Sequence, residues 1–326
     1  MNALKAIGAH LRALGPTWTH WTVLPLMAWP IYVVLGRGEM RWEFMAMTFV
    51  VPAMAFINAR TRKLYVGLYP IAVTSITYDA MRFVKNVGIS PDNIHVCDLR
   101  DHELALFGVG TGASRVTLQD YFLEHHSDVA DVYFSIPYGT FIFVSLVFAI
   151  FLYFRSFAAI QRYGWTFLFM NIAAFLTYHL YPAAPPWYFH VTHSCVADLA
   201  THASEGSHLA NVDRLLGITY FHSFYGRSAD VFGAVPSLHV AYPLLILVEG
   251  WALFGPVRRG LAIVFTASMC CAAIYLDHHY VIDVLLGLAY GGGIYLAFRA
   301  LFARLARSAA VEAPDLIAAS VGATAS

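Results

Sequence analysis

Residues 129–154 read VADVYFSIPYGTFIFVSLVFAIFLYF, a run in which Asp131 is the sole charged side chain. A helix needs about 20 apolar residues to cross the hydrocarbon core of a bilayer, so this run is read as a membrane span. Seven more runs are read the same way: 19–36, 43–59, 64–84, 163–182, 236–254, 260–277 and 280–302. The chain is 59% hydrophobic and 12% charged, about half the charge of an ordinary soluble domain. The expected fold is therefore all-α, a polytopic transmembrane helix bundle of about eight spans. One domain is expected over residues 1–302, followed by a flexible tail over 303–326 that is rich in Ala, Ser and Gly. Met1 to Thr17 is too polar and too mixed for a cleaved signal peptide, so the first span is expected to remain as an anchor. Formal net charge is zero, and no basic field invites nucleic acid.

Orientation follows from lysine and arginine, which gather in short cytoplasmic connections. With the N-terminus inside, the inner segments hold Lys5, Arg12, Arg60, Arg62, Lys63, Arg155, Arg162, Arg258, Arg259, Arg299, Arg304 and Arg307, the majority of the 20 basic residues. The long connections 85–128 and 183–235 then lie outside, with His239 and His279. Of the 15 histidines, His10 and His20 alone fall away from that face. Polar loops account for most of this bias. They do not account for His239 and His279 at the lips of apolar runs, where an ionisable group is costly unless paired or functional.

Segment 85–128 carries Asp98-Leu99-Arg100-Asp101-His102-Glu103 and Leu118-Gln119-Asp120-Tyr121-Phe122-Leu123, read as short amphipathic helices at the membrane interface. Segment 183–235 opens with Ala184-Pro185-Pro186-Trp187-Tyr188. The prolines stop the preceding helix, and Trp187 and Tyr188 suit the headgroup layer. Cys97 and Cys195 both fall outside, where an oxidising compartment permits a disulfide. Sequence does not give their separation, so the pairing stays open. Cys270 and Cys271 are read as packing residues.

The chemistry concentrates in Gly233-Ala234-Val235-Pro236-Ser237-Leu238-His239 and in His278-His279-Tyr280-Val281-Ile282-Asp283. Four residues apart on a helix, His279 and Asp283 share one face. The carboxylate can hold one ring nitrogen of His279 and leave the other free to attack. Pro236 suits the first turn of a helix, whose open amides attract phosphate. Ser237 can add a hydroxyl there, and His239 projects into the same space as a general acid. Together these groups describe phosphoryl transfer. Tyr78-Asp79-Ala80-Met81-Arg82-Phe83-Val84-Lys85 closes the third span on the same face. Arg82 is a candidate phosphate clamp with Asp79 and Lys85 as neighbours, against the plainer reading of basic residues snorkelling to headgroups.

The Pro-Ser-x-His and His-x-x-x-Asp elements resemble the second and third motifs of the type-2 phosphatidic acid phosphatase superfamily. Within it the chain looks most like the fungal-type inositol phosphorylceramide synthases, the targets of aureobasidin A. The likeness runs over about residues 60–302 and includes Ile94-His95-Val96, Met170-Asn171-Ile172, Pro185 to Tyr188, Val231 to Ala234 and Tyr275-Leu276. It implies His279 as nucleophile forming a phosphohistidine, Asp283 as its orienter and His239 as acid and then base. It also implies that Pro185 to Tyr188, with Trp187 among them, are part of the lipid site; Gly233 and His278 are further candidate substrate-binding residues. Two features depart from the superfamily pattern. The first motif, a Lys followed by Arg-Pro, is absent, and Ala272-Ala273 replaces a Ser-Arg pair. The phosphate clamp is thus left unassigned. The Cys-Gly-Asp form of the second motif, found in animal sphingomyelin synthases, is absent too, which disfavours a phosphocholine donor.

The expected activity is transfer of phosphoinositol from a glycerophospholipid to a ceramide-type hydroxyl, with diacylglycerol leaving and no metal or nucleotide cofactor. The nearest alternative is a lipid phosphate phosphatase with water as acceptor. A transporter is a further one, but Asp79, Arg82 and Asp283 sit at one face rather than at midplane, and Glu249 is read as paired or solvated. A metal site at the motifs is not expected, since His278 and His279 are adjacent and no His-x-x-x-His pair occurs there. A bacterial inner membrane with a periplasmic site is expected, and a Golgi membrane with a luminal site fits the same topology.

Overall fold

The computed structural model describes residues 2–14, 18–38, 42–228 and 230–323. Met1, residues 15–17 and the last residues of the expected tail, 324–326, lie outside the described residues. An N-terminal group holds α1 (Asn2–Ala13), α2 (Trp18–Trp21), α3 (Val23–Ile31), α4 (Trp42–Phe56) and α5 (Ala59–Val84). The first long connection carries α6 (Cys97–Phe107) and α7 (Leu118–Glu124), and α8 (Asp128–Arg155) and α9 (Phe157–Leu180) follow. The second connection carries α10 (Pro186–Thr192), α11 (Gly206–Leu216) and α12 (Tyr220–Tyr225). The chain closes with α13 (Leu238–Gly250), α14 (Pro256–Tyr275) and α15 (Val281–Ala323).

Among the described residues, three stretches are long and apolar enough to cross a membrane: Asp128–Arg155, Pro256–Tyr275 and Val281–Arg307. Two shorter apolar stretches, Val23–Gly36 and Leu238–Gly250, stand beside them. The run expected as one span over 19–36 is divided into α2, α3 and a π-helical turn at Tyr32–Gly36, with Pro30 inside α3. Proline removes a helix hydrogen bond and crowds the preceding turn. Helical backbone continues to Ala323 through the segment expected as a tail, in keeping with the helix propensity of its alanines.

Helix boundaries follow local capping. The Asn58 side chain accepts from the backbone amides of Arg60 and Thr61 to open α5, the usual remedy for unpaired N-terminal amides. Ser156 ends α8 and, through its hydroxyl, caps α9. That single-residue junction makes α8 and α9 an antiparallel pair.

Burying apolar side chains against one another gains little where the alternative is lipid, so close packing and hydrogen bonds hold such helices together. Gly164 of α9 admits Pro70 of α5, which a Cβ would meet at 3.3 Å. Tyr242 of α13 donates to Asn171 of α9 at 2.5 Å, and Thr177 of α9 pairs with Tyr290 of α15 at 2.8 Å. Glu249, buried on α13, is paired with Arg162 of α9, with Nε to Oε2 at 3.0 Å.

The two long connections fold together. Parallel bridges join His95 to Ala183 and Ala183 to Gly233. A disulfide links Cys97 to Cys195, with Cα atoms 5.1 Å apart. The pairing that sequence left open is made.

Candidate active site

His239 owes its place to a short proline-led turn. Pro236 cannot donate, Ser237 is the N-cap and α13 begins at Leu238. Pro236 therefore precedes the helix instead of entering its first turn, as expected from sequence. The Pro236 carbonyl accepts from Tyr178 at 2.9 Å. The Ser237 amide donates to the Asp283 carbonyl at 3.0 Å, joining the two motifs through backbone. Gly233 fits because any Cβ there would stand 2.8 Å from the Tyr178 ring. Gly287, one turn beyond Asp283, lets α15 lie on this turn: a Cβ would sit 2.2 Å from the Ser237 carbonyl oxygen.

His279 lies in the loop between α14 and α15, not on the helix. Asp283, in the first turn of α15, still reaches it, with Oδ2 at 3.4 Å from His279 Nδ1. The same carboxylate accepts from the Tyr280 amide at 2.9 Å. The loop is held by groups from both long connections. Gln119 donates to the His279 carbonyl at 2.9 Å. The Glu103 carboxylate accepts from the Val281 and Ile282 amides at 2.8 and 3.3 Å, a favourable place for negative charge at a helix N-terminus. His278 donates through Nε2 to the Glu205 carbonyl at 2.9 Å. Burial, aided by the neighbouring His279, takes the His278 pKa down to about 3. His278 is therefore a neutral wall, stacked on Tyr225 with ring centroids 4.6 Å apart.

The two motif histidines meet directly, His239 Nδ1 to His279 Nε2 at 3.0 Å. With Asp283 facing Nδ1 of His279, the proton rests there and Nε2 carries the lone pair. His239 therefore donates Nδ1–H to it. Tyr138 stacks on the His239 ring at 4.3 Å, nearly parallel at 10°. Three buried polar atoms here have no hydrogen-bond partner among the described residues: Ser237 Oγ, His279 Nδ1 and Asp283 Oδ1. Native interiors leave few such atoms, and these three belong to the two motifs.

His239, His278 and His279 line a cavity of about 780 Å³. It passes Trp187 and Gly233 and runs between α5, α8 and α9 as far as Ile71 and Tyr163. A polar end with reactive imidazoles and a long apolar body suits an amphiphile.

Of the residues expected from sequence, His239, His279, Asp283, Ser237, Gly233, His278 and Trp187 are thus brought together. Tyr188 is not on the cavity wall. It is buried under the second connection, accepting from the Asp198 amide at 2.8 Å, so neither it nor buried Trp187 serves as a headgroup-layer anchor. Asp79, Arg82 and Lys85 also fall outside the wall, to which α5 contributes Ile71, Thr74, Ser75, Tyr78 and Met81. Arg82 is paired with Asp79, Nε to Oδ1 at 3.1 Å, and Asp79 accepts from Trp29 at 2.9 Å. Sequence reading missed Glu103, Gln119 and Tyr138, and it missed Arg227 and Asp230 on the wall. The mixed charge of 98–103 was the one signal for this group.

Among the described residues, one group has metal-ligand spacing: His126, Asp131 and His208, with ligand atoms within 4.8 Å. Tyr275, Asn211 and His208 already donate to Asp131, and the group is off the cavity wall.

Comparison with known proteins agrees with this geometry. A phosphoinositol dihydroceramide synthase of Bacteroides thetaiotaomicron is 38% identical over 272 residues, 82% of this chain and 87% of that protein. An inositol phosphorylceramide synthase of Candida albicans is 32% identical over 162 residues, 49% of this chain and 34% of that protein. The inositol phosphorylceramide synthase catalytic subunit of Saccharomyces cerevisiae is 26% identical over 272 residues, 80% of this chain and 65% of its own length. No solved structure matches the chain. Residues 113–297, more than half of the chain and all of the His239, His279 and Asp283 arrangement, match the PAP2 superfamily, and the chain belongs to it.

Proposed function

We propose that this protein moves phosphoinositol from phosphatidylinositol to the primary hydroxyl of a ceramide-type lipid. The observation that carries the reading is the single cavity in which two imidazoles in contact close the polar end of a long apolar space. The phosphoinositol dihydroceramide synthase to which the chain is similar supports this choice of head group and acceptor.

His279 Nε2 attacks phosphorus, forming a P–N bond as the P–O bond to diacylglycerol breaks. His239, as an imidazolium once the phosphate is bound, gives one proton to the departing alkoxide and is left neutral. Asp283 stabilises the charge that develops on His279. Ceramide then enters, His239 takes its hydroxyl proton, and the oxygen attacks the phosphohistidine, restoring His279. The phosphorus must come between the two rings, so the 3.0 Å contact opens on binding. The open amides of α13 and the guanidinium of Arg227 on the wall receive the phosphate oxygens. Arg227 thus takes the clamp role expected of Arg82.

The bundle is read with about eight spans, an inner N-terminus and the site on the extracytoplasmic face, in keeping with the Lys and Arg distribution. A bacterial inner membrane suits the bacterial relative.

The test is head-group transfer by purified protein in mixed micelles, with inositol-labelled phosphatidylinositol and with or without ceramide. A new labelled lipid that needs ceramide is expected. Water-soluble inositol phosphate, independent of ceramide, would instead mark a hydrolase.

Gly287 gives a second handle. Gly287→Ala forces backbone apart at Ser237, at a cost of about 1–3 kcal/mol in stability. Displacing His239 from His279 is expected to cost turnover on the order of 10²-fold. Steady-state rates beside a thermal melt check both, and an unchanged rate would mean that α15 shifts without moving the imidazoles.

A further inference from the structure

Four charged side chains, from three helices and from the loop that carries His279, form an unbroken row. Arg100 of α6 makes two hydrogen bonds to Asp120 of α7, at 3.0 and 2.8 Å. Asp120 Oδ1 lies 2.8 Å from Nε2 of His190 on α10. On the other edge of the ring, His190 Nδ1 lies 2.9 and 2.8 Å from the two oxygens of Asp277. Asp277 stands two residues before His279.

Both nitrogens of His190 thus face a carboxylate. A neutral imidazole has one N–H and would turn a lone pair on one of them; the imidazolium donates to both. We infer that His190 is a positioning residue, an imidazolium clamped between Asp120 and Asp277 that fixes the loop carrying His279 and releases it on losing a proton. The inference rests on the transfer reading for its kinetic consequence, though not for its structural one.

Asp277 is where such a brace is needed. Its φ of 67° is left-handed, a conformation that an L-residue with a side chain holds only when its surroundings impose it. The end of α14 closes the turn, with the Asp277 amide donating to the Ile274 carbonyl at 3.2 Å and the His279 amide to the Ala273 carbonyl at 2.9 Å. Two contacts from α10 then hold it, the Trp187 amide donating to the Asp277 carbonyl at 3.0 Å and His190 holding the carboxylate. The turn that results sends His278 to Glu205 and His279 to His239.

The electrostatics agree with this geometry. Burial alone lowers the His190 pKa, but hydrogen bonds to Asp120 and Asp277, with their charges, outweigh it and raise the pKa to about 9. Burial raises Asp120 as well, yet His190 and Arg100 hold it well below the usual carboxylate range. Burial pushes the Asp277 carboxyl up, opposed first by His190, so ring and carboxylate keep each other charged. The other groups that face this row are His208, which acts on Asp277, and Tyr280, which acts on Arg100. A raised histidine pKa stabilises fully below the unfolded value of about 6.5. That contribution is lost as pH rises through about 9.

The experiment uses the full chain in micelles and two readouts across pH: kcat for transfer, and hydrogen-exchange protection of residues 276–283 normalised to the rest of the protein. Wild type is expected to lose both along a basic limb near 9. His190→Gln can serve one carboxylate only. It is expected to lower kcat by about 10²-fold at neutral pH, with KM little changed and loop protection lost. Asp277→Asn keeps an oxygen acceptor and suits left-handed backbone, but removes one charge. Its basic limb is expected to move acidward by about one unit. If His190→Gln does not fold, that movement decides. An Asp277→Asn limb that overlays wild type, or a His190→Gln protein with wild-type kcat and protection, would overturn the inference. Loss of protection without any lipid transfer in wild type would keep the brace and sink the reaction assigned to the site.

Discussion

Transfer of labelled inositol phosphate to ceramide is expected to fall by at least on the order of 10⁴-fold in His279→Ala, to the level of protein-free micelles. The expectation rests on electron pairs: of the two ring nitrogens that meet, Nε2 of His279 is the one assigned the lone pair. Without it no P–N bond forms and no route through a covalent intermediate remains. The fold is expected to survive, because Gln119 holds the loop by the His279 carbonyl and Glu103 holds the amides of Val281 and Ile282. A rapid acid-avoiding quench adds the sharper reading. Wild type incubated with phosphatidylinositol alone is expected to hold inositol phosphate on protein, and His279→Ala none. His239→Ala should still form the adduct, slowed by the roughly 10²–10⁴-fold that a general acid supplies. Adduct in His279→Ala with none in His239→Ala would exchange the two roles.

Asp283→Asn is expected to lower kcat on the order of 10³–10⁴-fold while leaving the protein folded. Asp283 is wholly buried and its Oδ2 serves both the Tyr280 amide and the His279 ring. The amide variant keeps volume and can keep one of those contacts, so no buried charge is left unpaired. What it loses is the counter-charge that steadies the imidazolium-like His279 as phosphorus is attacked, and the certainty of which nitrogen bears the proton. The check is kcat and KM beside a thermal melt. Equal loss in kcat and kcat/KM with an unchanged melt fits the orienting role, whereas a fall in melting temperature that tracks the fall in rate would make Asp283 structural.

The cluster of candidate reacting groups was legible because each member sits in a short motif whose spacing survives folding. Ser237 and His239 lie on one turn, and His279 and Asp283 need only a helix start between them. The clamp, left unassigned by the motifs, was harder to read from local sequence. Arg82 is off the cavity wall and pairs with a helix neighbour three residues away, Asp79. The groups that hold the loop were invisible. Glu103 and Gln119 reach residues 160 to 179 positions away in sequence, and no period or spacing encodes such a contact. His190 was hidden likewise, as one of many histidines on a polar face. Apolar runs named the bundle correctly but not its breaks, since Pro30 and the Ser237 cap divide or shorten helices without changing hydropathy.

The backbone link from Ser237 to Asp283, with Gly287 pressed onto the same turn, has a consequence for how substrate gets in. α13 and α15 cannot part to admit a phosphate without giving up that hydrogen bond and a contact that leaves no room for a methyl group. The gap between the imidazoles must then open by torsion of the side chains alone, His239 sliding off Tyr138 and out of line with His279. Side-chain torsions run far faster than the microsecond-to-millisecond shifts of whole helices. On the proposed roles the two imidazoles are a fast latch on a fixed frame, and the slow step of the cycle is expected to belong to the lipids, as one long-tailed product leaves the cavity and its successor finds the way in.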